Sequence, residues 1–99
     1  MNRPCFRYQF VESVEPEEIE LALVMALFGV EALHGEAAAR LDARHAFDVM
    51  KRSCVIDAAT PIGQDFNRLF LGFVRRELMS DEFTVMRIEV PVEESSVAA

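Results

Sequence analysis

A chain of 99 residues in which 52% of side chains are apolar is long enough for one domain around one core, closed without a metal or disulfide staple. A net charge of -7 sets the surface against any phosphate backbone, so nucleic acid is excluded as an expected partner. The two cysteines, Cys5 and Cys54, have no CxxC spacing, which predicts reduced thiols in a cytoplasmic protein with no cofactor and no metal.

The first ten residues, MNRPCFRYQF, do not form a basic segment followed by an apolar one, and no leader is expected from them. Phe6, Tyr8 and Phe10 alternate instead with Cys5, Arg7 and Gln9, which predicts a first strand over about residues 4–12 with one covered face. Pro16 suits a first helical position, with Glu17, Glu18 and Glu20 at the positive end of the dipole, so helix one is predicted from there to His34. Gly35 then supplies its stop. The apolar run IELALVMALFGVEAL within it is shorter than the roughly 20 residues a bilayer needs, and it carries Glu20 and Glu31. No membrane contact is expected.

Alternation in AARLDARHAF and the β-branched RSCVIDAA predicts strands two and three as a hairpin, turning near Asp48 to Arg52. Thr60 and Pro61 open helix two as N-cap and first-turn residue. Ile62, Phe66, Leu69, Phe70 and Phe73 then recur at helical spacing as far as about Met79. FTVMRIEV alternates as strand four, and PVEESSVAA reads as a polar tail. A single domain over residues 1–91 with a flexible tail over 92–99 is the expected organisation.

The order strand, helix, strand, strand, helix, strand resembles the split βαβ plan of ferredoxin-like domains. That plan implies an α+β sandwich: a four-stranded antiparallel sheet with strands one and three central and two helices on one face. A weak internal repeat agrees with two βαβ halves, because a shift of about 45 residues lays Pro16 on Pro61 and Leu21, Val24, Met25 and Phe28 on Phe66, Leu69, Phe70 and Phe73. By that alignment the four helix-one residues face the sheet. Ile19, Leu23, Ala26 and Val30 are then left outside as a narrow seam, predicted to be the interface with a second copy or another protein.

Between strand three and helix two, DAATPIG has one glycine and no lysine, so it is a structural joint and not a phosphate cradle. The joint after strand one, ESVEPEE, is acidic and would repel phosphate. The open sheet face is expected to carry Cys5, Arg7 and Gln9, then Arg40, Asp42 and Arg44, then Ser53, Val55 and Asp57, with Val85, Arg87 and Glu89 at the edge. Its aromatics lie on the other parity, which removes the stacking platform RNA recognition requires. His34 and His45 have no ligand-spaced partner. Cys54 shares parity with Ile56 and is expected to be buried, and Cys5 partly exposed.

No nucleophile, base and orienting acid fall together. The expected function is therefore a non-enzymatic assembly or regulatory module that oligomerises through helix one. The alternative is a small enzyme or sensor binding an anionic metabolite over the sheet face through Arg7, Arg40, Arg44 and Asp57, with Asp57 or His45 exchanging protons.

Overall fold

The computed structural model describes residues 1–91; the tail expected over residues 92–99 lies outside them. In chain order the elements are β1 (Asn2–Phe10), α1 (Pro16–His34), α2 (Glu36–Asp42), β2 (His45–Asp48), β3 (Ser53–Asp57), α3 (Pro61–Glu77) and β4 (Phe83–Pro91). The four strands form one antiparallel sheet in the order β2-β3-β1-β4. β1 and β3 are therefore central. The class is α+β, with three helices where two were expected.

The added helix is α2. In residues 37–44 alanines alternate with Arg40, Asp42 and Arg44, which imitates a strand, but alanine is the best helix former and a poor strand former. Intrinsic preference wins over the period. Ala39 is buried in the core, and Arg40 reaches back one turn to Glu36 at 2.8 Å. Gly35 links α1 to α2 at a φ of 92°, a conformation open to glycine and rare for other residues, and its N–H donates to the Glu31 carbonyl at 2.8 Å. Strand two shrinks accordingly to His45–Asp48, and the turn behind it closes as the Lys51 N–H donates to Asp48 Oδ1 at 3.1 Å.

The two long helices start as their sequences dictate. At α1 the Glu15 N–H donates to the Glu18 carboxylate at 3.2 Å, with Pro16 in the first turn. At α3 the Gly63 N–H donates to Thr60 Oγ1 at 2.9 Å, with Pro61 next to the cap. DAATPIG is thus the joint its composition implied. Helices α1 and α3 run antiparallel, since His34 at the end of α1 meets Asp65 near the start of α3 at 2.8 Å, and Glu18, Ile19 and Ala22 lie beside Val74 and Leu78.

Between helices and sheet the core is aromatic. Tyr8 and Phe10 from β1 and Phe66 and Phe70 from α3 are almost wholly buried. The Phe70 ring stands edge-on to Tyr8 at a centroid distance of 4.7 Å, a favoured geometry for two quadrupoles. Tyr8 also donates its hydroxyl to Asn67 Oδ1 at 2.6 Å, satisfying a polar group that would otherwise be costly to bury.

Register corrects one edge of the open sheet face. Val85 pairs with Tyr8, Arg87 with Phe6 and Glu89 with Pro4, and directly opposed residues share a face. Those three therefore stand on the helix side of β4. The open face at this edge carries Thr84, Met86, Ile88 and Val90, opposite Gln9, Arg7, Cys5 and Arg3.

Candidate functional site

Helix α1 is turned the other way from the expected orientation. Ile19, Leu23, Ala26 and Val30, predicted to lie outside, are 1%, 5%, 0% and 0% exposed and belong to the chain's own core. Leu21, Val24, Met25 and Phe28, predicted to face the sheet, are 60%, 39%, 41% and 62% exposed. The physical reason is volume. Phe66 and Phe70 already fill the space over β1, so α1 comes close by presenting small residues, Ala22 and Ala26, toward them. Gly29 allows the same approach, since a Cβ there would stand 2.8 Å from Leu69 Cδ1.

The repeat is real but its phase is one residue off. The buried positions Ile19, Ala22, Leu23, Ala26 and Val30 of α1 correspond one for one to Gly63, Phe66, Asn67, Phe70 and Val74 of α3, a shift of 44 and not the 45 that aligns the two prolines. One residue turns a helix by about 100°. That rotation carries the large apolar side chains from the sheet to the surface.

The outside of the helical layer is therefore divided. On α1 the exposed apolar face lies among Glu17, Glu18, Glu20 and Glu31, with no basic residue before His34. On α3 a groove of about 210 Å³ has Leu69, Gly72 and Phe73 as its floor and Arg68 and Arg76 on its rim. An acidic, apolar ridge stands beside a basic, apolar furrow.

The residues proposed for an anionic ligand do not converge as a set. Arg40 is on α2, paired with Glu36. Arg7 is exposed in mid-sheet, opposite Val55 and Met86. Arg44 and Asp57 do meet, beside Arg3, Asp42 and Thr60 around a hollow of about 150 Å³. The Asp57 carboxylate is already engaged there, with Oδ1 accepting the Ala59 N–H at 2.9 Å and Oδ2 lying 3.4 Å from Arg3 Nε. His45 is opposed to Ile56 and its ring packs edge-on to Phe66 at 5.3 Å. Asp57 and His45, the two alternatives for proton exchange, both line a shallow hollow of about 180 Å³ together with Arg3, Cys5 and Arg44 at the end of β3.

Both thiols are buried, Cys5 being 4% exposed and not partly open as expected. Burial pushes Cys54 up to about 12. It also raises Tyr8, and it raises Cys5 with a smaller contribution from the Asp57 carboxylate. The unfolded chain releases these protons first, so their contribution to stability is complete below about pH 9 and declines as the pH climbs toward 12. Urea unfolding midpoints are expected to fall between about pH 9 and 11, less steeply in Cys54→Ala. A flat profile over that interval would contradict the burial argument.

Among the described residues no group of three or more His, Cys, Asp or Glu side chains could hold a metal ion, and no helix is long and apolar enough to cross a membrane. No family model matches the chain, and no curated protein or solved structure shows significant similarity to it.

Proposed function

We propose that the chain is a small, non-enzymatic assembly or regulatory domain of ferredoxin-like plan, with α2 as an added short helix, and that it pairs with a second copy of itself through the outer face of α1. The observation that carries this reading is the exposed stripe of Leu21, Val24, Met25 and Phe28. A lone domain rarely leaves so large an apolar face in water unless something covers it.

Charge favours a second copy as the cover. In a two-fold pair with helical layers facing, α1 of each copy lies against α3 of the other, one of the arrangements an isologous interface allows. Phe28 or Leu21 then enters the furrow over Gly72. The glutamates of α1 meet Arg68, Arg75 and Arg76, complementary in sign and steering the correct approach. The same arrangement hides the apolar ridge and neutralises the acidic helix. Two buried cysteines that form no disulfide suit a cytoplasmic assembly.

Sedimentation equilibrium tests the reading. The wild type is expected to move from 11.2 kDa to twice that mass with rising concentration, while a Leu21→Asp, Phe28→Asp double variant stays monomeric with an unchanged melting temperature. Were the wild type to remain a monomer up to about 1 mM, where association would be worth less than about 4 kcal/mol, the proposal would fail.

A further inference from the structure

We infer that the cleft between the helix-facing side of β4 and the first turns of α3 is a binding site for a small organic oxyanion, a carboxylate or phosphate ester with a flat apolar body. It lies across the sheet from the hollow around Arg44 and Asp57 and shares Arg68 with the rim of the α3 furrow.

The cleft encloses about 330 Å³, within the range of sites for small molecules. Pro4, Phe6 and Ala58 form an apolar floor, and Gln64, Arg68 and Arg87 stand around it. Arg87 reaches this side because it is opposed to Phe6. Gln64 and Arg68 are one helical turn apart on α3 and project to the same side. In a chain of net charge -7 this cleft has two guanidinium groups and no carboxylate in its lining; Glu89 pairs with one of them, Arg87, at 3.3 Å along the strand. Two cationic side chains against the one acid paired with Arg87 leave a local excess of positive charge in an acidic molecule, which favours anions at this point.

Asn67 adds a neutral donor to the cleft wall. Its side chain lines the cleft although the residue is only 8% exposed. Oδ1 is taken by the Tyr8 hydroxyl at 2.6 Å, and burial of Tyr8 keeps the proton on that hydroxyl. The hydrogen bond therefore fixes which way the amide points, leaving the Nδ2 group as the end that faces the cleft. Among the described residues that group donates to no protein atom, and it is open to solvent at the cleft. An oxyanion held between Arg68 and Arg87 would accept from it, while the body of the ligand covers Phe6. Charge-assisted contacts of this kind are the strong ones.

The test is a two-dimensional NMR titration of the full chain, following the Asn67 side-chain amide. Phenyl phosphate and benzoate are the two anionic probes, inorganic phosphate lacks the apolar body, and benzyl alcohol lacks the charge. At least one aromatic anion is expected to shift the Asn67 amide saturably, the tighter of the two identifying ester or carboxylate as the preferred group. Inorganic phosphate is expected to bind more weakly and benzyl alcohol not at all. Arg87→Gln, at an exposed position that leaves the core intact, is expected to weaken binding about tenfold, the worth of one charge-assisted hydrogen bond. Asn67→Asp retains an acceptor for Tyr8 and is expected to abolish binding. No saturable shift with either aromatic anion up to about 10 mM, or unchanged affinity in Arg87→Gln, overturns the inference. Equal binding of inorganic phosphate overturns the part assigned to the apolar floor.

Discussion

Gly63→Ala is expected to cost the fold about 3 kcal/mol and to lower its melting temperature by roughly 12–24 °C. Elsewhere in a helix the exchange gains stability, because alanine loses less backbone entropy on folding. At Gly63 an added Cβ would overlap the carbonyl oxygen of Asp57, a backbone atom at the end of β3. A backbone carbonyl in a sheet does not swing aside, so α3 must lift from β3 and loosen the packing of Phe66 and Phe70 below it. Gly72 on the same helix is the control. A Cβ there meets nothing within 4 Å, and Gly72→Ala is expected to raise stability by about 0.5–1 kcal/mol. Thermal melts of the two variants should move in opposite directions, and parallel shifts would refute the close approach of α3 to β3.

The second large effect distinguishes the two faces of α1. Ala26→Asp places a carboxylate at a wholly enclosed position with no cation to pair it, and removal of an unpaired charge from water costs more than about 4 kcal/mol. That variant is expected to lose most or all of its folded population. Met25→Asp, one residue earlier, puts the same group on a side chain that is 41% exposed, and the monomer's stability is expected to change by no more than about 0.5 kcal/mol. Circular dichroism and urea titration of the pair decide the orientation of the helix directly. Had the expected seam been the true one, the two outcomes would be exchanged.

What could be read in advance follows from how locally each feature is encoded. Alternation in β1, the caps at Glu15 and Thr60 and the prolines after them act over a few residues, so those elements lie close to where the sequence placed them. The hairpin turn at Asp48–Ser53 is of the same kind. Residues 36–42 were misjudged because alanines spaced by two satisfy the period of a strand while preferring a helix, and burial of Ala39 decides the matter only in three dimensions.

The rotation of α1 is harder to read, and its cause is instructive. A helix that is apolar almost all round has no strong preference of its own for one face. Its phase is set by the volume its neighbours leave beside Phe66 and Phe70, which takes Ile19, Ala22, Leu23, Ala26 and Val30 and leaves Leu21, Met25 and Phe28 outside. Alignment on the two prolines mistook a shared start for a shared phase. The Tyr8 bond to Asn67 and the His34 pair with Asp65 join residues 59 and 31 positions apart, and no spacing rule connects them. The cleft beneath Arg87 was invisible for the same reason, since it depends on which side of an edge strand that arginine occupies.

The junction of sheet and helix at Tyr8 has a further consequence for spectroscopy. With one tyrosine and no tryptophan in the chain, near-ultraviolet tyrosine absorption comes from a single phenol ring that lies edge-on to Phe70 and is tethered to α3. Its signal is therefore a gauge of whether that helix is seated on the strand, blind to the outer ridge.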